Sequence, residues 1–404
     1  MKTILLFDNI SHGHHPTYLR LFSKTLLEMG YRVTTLCPDS DELNAWVTQH
    51  YPNYAANFQV AQIKQPNVPA LPILGYAPRP LNALLQWKYA ASSIQNIVTN
   101  LGHSPDLVFF PWLDIYLSEY LTYHLVDIIF PYAWSGLFFH PPYLIAGQKR
   151  LPILGTPLSP YSVTRSPHCR SIAFLDEFEA ATLQQTLDKP VIPFPDLTDE
   201  SSPDLSYPIA HQIREKAGDR KVIGLLGALS RRKGLLTLLE VAKDLEHDDW
   251  FFVFVGELDE RGLSPEEIFE IRRFIQSDPA NCLFHLNWIP DEPKFNAVVE
   301  ACNVLFASYE NFPYSSNILA KAAVFEKPII VSDGFCMGRR AETFQLGIKI
   351  PAGSSTHCLE ALTMLRDQLN SQAFYVKPDF EGYRKRHSID QLRDAFYTVC
   401  SHIN

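Results

Sequence analysis

The stretch KVIGLLGALSRRKGLLTLLEVAKDLEHDDWFFVFVG (221–256) decides the fold. KVIGLLG (221–227) and WFFVFVG (250–256) are continuous apolar runs closed by glycine, the pattern of strands covered on both faces of a parallel sheet. Between them Leu235, Leu239, Ala242 and Leu245 recur at helical spacing, which predicts a helix over 233–246. This is a βαβ unit. The alternation continues with a helix at 265–277, the strand CLFHL (282–286), a helix at 291–301, the strand NVLFAS (303–308), a helix at 316–325 and the strand PIIVSD (328–333).

The N-terminal half repeats the scheme. KTILLF (2–7) leads through the polar loop DNISHGHHP (8–16) into a helix with Leu19, Phe22, Leu26 and Met29 on one face, then YRVTTLC (31–37). Further strands are expected at FQVAQI (58–63), DLVFFP (106–111), GLFFH (136–140) and SIAFL (171–175), with helical patterns at 81–100 and 178–187. Between the two series FPDLTDESSPDLSYP (194–208) is rich in proline, serine and acid and has no apolar period to bury. The expected fold is α/β, with two doubly wound parallel sheets: a domain over 1–195, a linker at 196–208 and a second domain over 209–404. The last helix, about 389–401, can pack on either domain, crossing back to the first. Ligands of such sheets sit beyond the carboxyl ends of the strands, so chemistry is sought in the loops 8–16, 227–233 and 309–317.

Composition narrows the function. The chain has 404 residues, 46% of them apolar and 20% charged, far from the balance of a disordered chain. Thirty-five basic against 44 acidic side chains give a net charge of −9, which disfavours a nucleic-acid partner. No run reaches the roughly 18–20 apolar residues of a membrane-spanning helix, and Asp8 interrupts the first apolar run, so neither a span nor a signal peptide is expected. The 7 cysteines are scattered without a CxxC pair, which argues against a disulfide framework or a zinc site and fits a reducing cytoplasm. Residues 43–105 hold Lys64, Arg79 and Lys88 and no acid. If they line an acceptor site they favour an anionic acceptor or a peripheral contact with an acidic lipid surface; burial of the proline-rich loop 68–80 is the competing reading.

The segments GALSRRKGLLTLLEVA (227–242), FFVFVGE (251–257) and SYENFPYSSNILAKAAVFEKPIIVSD (308–333) together resemble the nucleotide-sugar half of GT-B glycosyltransferases, with retaining family 4 the nearest likeness. The glycine loop of the first βαβ, the FFH strand end and the break after VIPFP (191–195) extend the resemblance over nearly the whole chain. It implies two Rossmann-like domains facing a cleft, acceptor side first and nucleotide-sugar side second. It also implies transfer of a sugar from a nucleotide diphosphate sugar to a hydroxyl acceptor, with no metal or other cofactor.

The residues carry their own argument. Lys233 and Gly234 open a predicted helix directly after a strand, where free amides and the helix dipole favour an anion. The resembling family places glycine-arginine before its lysine-glycine pair. Here Gly227 precedes Ala228, and Arg231 or Arg232 is within reach to take the arginine's place on the diphosphate. Glu310 follows a strand end and can accept from sugar hydroxyls, while Ser315, Ser316 and Asn317 open the next helix as a ligand loop or a plain cap. The family has a second glutamate on the nucleotide ribose, and counting back from Lys327-Pro328 puts Lys321 there. A lysine cannot accept, so it is expected to pair with a phosphate or with Glu310.

Gly13 and His14 lie in the N-terminal loop, where His12, His14 and His15 are read as polar loop residues in preference to metal ligands. His140 stands where the family keeps a histidine toward the donor sugar; a buried, hydrogen-bonded core histidine is the alternative. By the resemblance His140, Glu310 and Lys233 are the catalytic set, and Gly256, Trp288 and Ile289 join the donor-binding residues. Ala228 and Lys321 also admit a transfer-inactive binding subunit, or an epimerase on the same fold.

Overall fold

The computed structural model describes residues 1–66, 79–118, 120–139, 161–371 and 377–403. His140 and residues 68–78 of the proline-rich stretch lie outside the described residues. The chain divides into two compact units: Met1–Pro195 together with the C-terminal segment from His387, and Asp196–Arg386.

The first unit holds β1 (Thr3–Phe7), β2 (Arg32–Cys37), β3 (Phe58–Gln62), β4 (Leu107–Phe110), β5 (Trp134–Phe138), β6 (Cys169–Phe174) and β7 (Val191–Pro193). They form a 7-stranded sheet in the order β3-β2-β1-β4-β5-β6-β7, every pair of it parallel. β7 is too short to show a period, and sequence reading passes over it. One face is covered by Arg79–Leu101, whose Trp87 sits among Phe110, Phe130 and Trp134 and donates its indole N–H to the Tyr116 carbonyl at 2.9 Å. The C-terminal helix Ile389–Ser401 buries Leu392, Ala395, Phe396, Val399 and Cys400, an i, i+3, i+4, i+7, i+8 stripe. Phe396 meets Phe22, Phe109 and Phe194 at centroid distances of 5.1–5.2 Å, which docks that helix on the first unit.

The second unit holds β8 (Lys221–Leu226), β9 (Leu229–Ser230), β10 (Trp250–Val255), β11 (Leu258–Asp259), β12 (Cys282–His285), β13 (Val304–Ala307), β14 (Ile329–Ser332) and β15 (Gly347–Ile350). Six of them make a parallel sheet in the order β12-β10-β8-β13-β14-β15, and β9 pairs with β11 beside it. Alternate residues of β10 enter opposite cores: Phe251 and Val253 on one face, Trp250, Phe252 and Phe254 on the other. The stretch read as a linker does not run free. Asp196, Leu197 and Thr198 are buried in the second unit, because the polar side chains described below bind them there. No helix among the described residues is long and apolar enough to cross a membrane.

Candidate functional site

Strand order locates the site. β8 has β10 on one side and β13 on the other. The helix leaving β8, Leu235–Asp244, packs on one face of the sheet, whereas the helix leaving β13, Asn317–Val324, packs on the opposite face. Where successive connections diverge in this way, a crevice opens at the carboxyl ends of the two strands.

The turn after β8 is built into that crevice. The helix does not begin at Lys233 as the periodicity predicts: Arg231–Lys233 form one 3-10 turn, and the helix starts at Leu235 after Gly234 takes a left-handed φ of 77°. A Cβ on Gly234 would lie 2.6 Å from the Ser308 carbonyl oxygen, so glycine is what lets the turn rest against the end of β13. The Glu310 amide then donates to the Arg232 carbonyl at 2.7 Å. Gly256 closes the other side: a Cβ there would meet the Gly227 carbonyl oxygen at 2.0 Å. Gly227, Lys233, Gly256 and Glu310 are thereby drawn to one end of the sheet.

The three cations of the turn differ. Arg231 pairs with Glu267 at 2.8 Å and donates to the Gly262 carbonyl at 3.4 Å. Arg232 lies over the rings of Phe312 and Tyr309, 4.6 and 5.7 Å from their centroids. Lys233 reaches back over Tyr309 and donates to the Leu226 carbonyl at 3.2 Å. Among the described residues neither Arg232 nor Lys233 has an ion pair, and the half-buried Glu310 carboxylate has neither a hydrogen bond nor a cation. Two cations without an ion pair among the described residues and one acceptor-only group at a strand-end crevice suit a phosphorylated, hydroxyl-bearing ligand.

The next helix start is committed otherwise. Ser315 Oγ donates to the Asp196 carboxylate, which also receives Arg340 Nη1 at 3.0 Å; Arg340 is 0% and Asp196 4% exposed. Asn317 donates to the Leu197 carbonyl at 3.2 Å and accepts from Thr198 Oγ1 at 3.0 Å, while Ser316 Oγ is 3.4 Å from the Tyr309 hydroxyl. The side chains of Ser315 and Asn317 hold the 196–198 segment.

Lys321 requires a correction. It is 0% exposed, and its ammonium donates to the Asp199 carbonyl at 2.6 Å, Asn296 Oδ1 at 2.6 Å and Glu292 Oε2 at 2.8 Å. An ammonium has three donors, so these partners exhaust it and replace the expected phosphate or Glu310. Of the two residues after β12, Trp288 is exposed whereas Ile289 belongs to the core.

In the first unit Gly13 and His14 are exposed, and His14 precedes the helix His15–Glu28. Sequence reading passed over the pair beside them. The buried His15 donates Nδ1–H to the buried Asp8 carboxylate at 2.7 Å and lies 4.4 Å from the Trp112 ring. An acid at a strand end and a histidine in the following first turn was the available signal. All 7 cysteines are buried, and burial pushes Cys37, Cys282, Cys302 and Cys358 up to about 12, outside the range of a nucleophile.

No protein-family model matches the chain, and no curated protein resembles it in sequence. Solved structures do resemble it. Sucrose-phosphate synthase from Thermosynechococcus elongatus aligns with a TM-score of 0.66 at 14% identity, covering 100% of this chain and 99% of that one. A glycosyltransferase from Rickettsia africae aligns at 0.64 and 12% identity over 100% and 99%. Anabaena HepE, solved with UDP-glucose, aligns at 0.63 and 13% identity over 99% and 100%. With its two Rossmann-like units and this likeness, the chain has the GT-B glycosyltransferase fold.

Proposed function

We propose that the chain transfers a sugar from a nucleotide diphosphate sugar to a hydroxyl acceptor, with retention of anomeric configuration as the resemblance implies. The observation that carries this reading is that two cations without an ion pair among the described residues, Arg232 and Lys233, stand with Glu310 at the crevice between β8 and β13. Lys233 and Arg232 meet the charge that grows on the departing diphosphate. Glu310 accepts from the sugar hydroxyls and orients the anomeric carbon. HepE, whose structure holds UDP-glucose, supports a nucleotide sugar as donor.

Release of nucleoside diphosphate from a panel of UDP-, GDP- and ADP-sugars, with and without hydroxyl acceptors, tests the reading. Glu310→Gln should lower turnover about ten-fold or more while leaving nucleotide affinity and melting temperature near wild type, since it trades a charged acceptor for an amide of similar size. Wild-type turnover in that variant would remove Glu310 from the site. Arg231 and Arg232 should separate cleanly. Arg232→Ala should weaken nucleoside diphosphate binding about ten-fold, as loss of a charge-assisted phosphate contact does, whereas Arg231→Ala should stay within about two-fold because Arg231 already serves Glu267. Equal losses in calorimetric titrations would contradict this division.

A transfer-inactive binding subunit is the second reading, favoured by Ala228 and by the engagement of Ser315, Asn317 and Lys321 within the protein. Absence of affinity for every nucleotide sugar in the panel selects it.

A further inference from the structure

We infer that the first unit carries a binding recess for a neutral saccharide at the outer edge of its sheet, independent of the nucleotide-sugar reading of the second unit. β3 is an edge strand, paired with β2 alone. These two strands, the helix Ser40–His50 and the helix Arg79–Leu101 border a recess of about 440 Å³, within the roughly 300–1,000 Å³ of small-molecule sites. Thr34 is the third residue of β2 and Gln59 the second of β3, so the recess runs along the strands and is not confined to the carboxyl ends, where a parallel sheet holds its usual ligands.

The lining sets the chemistry of the ligand. Thr34 is 2% exposed, and among the described residues its hydroxyl has no hydrogen-bond partner. A buried hydroxyl left unmatched destabilises the strand that bears it, so a ligand group that meets it gains an interaction the fold leaves open. Asp41 and Asn44 stand three residues apart on the helix Ser40–His50, which puts them on one face, and both are exposed, as is Gln59. Among the described residues none of these three side chains makes a hydrogen bond or an ion pair. Val60 and Ile97 add apolar surface. No basic or aromatic side chain lines the recess, which disfavours a phosphate, a carboxylate or a nucleobase. One carboxylate is also too few for a divalent cation, which takes about 6–8 oxygen ligands. A ring of hydroxyls fits: its O–H groups donate to Asp41 and both donate to and accept from Thr34, Asn44 and Gln59, while its C–H face rests on Val60 and Ile97. A mono- or disaccharide is the matching class.

Titration of the full chain with glucose, galactose, mannose, sucrose and maltose, followed by ligand-observed NMR, tests this. At least one of them should bind. Asp41→Ala and Asn44→Ala, both at exposed helix positions that alanine suits, should each weaken that binding about five-fold or more and leave the affinity for nucleoside diphosphates unchanged. Thr34→Val replaces the unmatched hydroxyl by a methyl group of the same shape, so it should lower saccharide affinity several-fold while the melting temperature stays level or rises. Absence of binding by all five sugars overturns the inference and leaves the donor reading standing. Binding that Asp41→Ala and Asn44→Ala leave at wild-type strength, or that a nucleoside diphosphate displaces, places the sugar elsewhere and overturns it as well. Should Thr34→Val fail to fold, the two helix variants decide.

Discussion

Lys321→Met should destabilise the second unit by about 3–5 kcal/mol, the cost of removing one member of a buried, hydrogen-bonded charge pair. The lysine side chain is 1% exposed, and its loss leaves the Asp199 carbonyl, Asn296 Oδ1 and one side of Glu292 without their donor. Since Glu292 keeps 25% exposure, water can relieve part of its loss, which places the expectation toward the lower end of that range. Domains of this size hold only about 5–15 kcal/mol in total, so the change should be plain as a lower denaturant midpoint in urea unfolding. An unchanged midpoint would mean that the cluster contributes nothing to stability. Lys321→Glu, which would restore the carboxylate of the resembling family at this position, should be more damaging still: it removes the ammonium that meets Glu292 and buries a second negative charge beside it.

Lys233→Ala should leave the fold intact and weaken nucleoside diphosphate binding by about 1.5–3 kcal/mol, roughly ten- to 150-fold. The two effects separate because among the described residues the ammonium makes a single hydrogen bond, to the Leu226 carbonyl at 3.2 Å, and is only half-buried. Its position, lying back across Tyr309 at the end of β8, is held by the 3-10 turn before Gly234. Titration with the diphosphate identified from the panel, paired with a thermal melt, reads both quantities. Unchanged affinity would remove Lys233 from the donor site, and a large fall in melting temperature would assign it to the scaffold.

Most of the architecture was legible along the chain because its strands are buried on both faces and so appear as unbroken apolar runs, as WFFVFV does, between helices of 3.6-residue period. The strands that escaped reading have a physical reason to escape it. β15, GIKI, lies at the edge of its sheet, is only partly buried and carries Lys349, so it has no apolar run to show; β7 is 3 residues long. The candidate ligand loops were legible too, since Gly227, Lys233 and Glu310 follow strand ends, and a parallel sheet gathers its strand ends along one edge.

The partner of each charge was not legible. Ser315 meets Asp196 from 119 positions away and Lys321 meets Glu292 from 29, contacts set by how one helix packs against another helix or against a returning segment. Local periodicity states which face of a helix is apolar, but it carries no information about which acceptor lies opposite a buried ammonium. The sequence by itself therefore determined the alternation of strands and helices, the two sheets and the loops that present Lys233 and Glu310. Only the tertiary structure decided that Arg231 is spent on Glu267 while Arg232 stays available, and that Lys321 is an internal support, because each of those outcomes depends on the approach of groups that the chain keeps far apart.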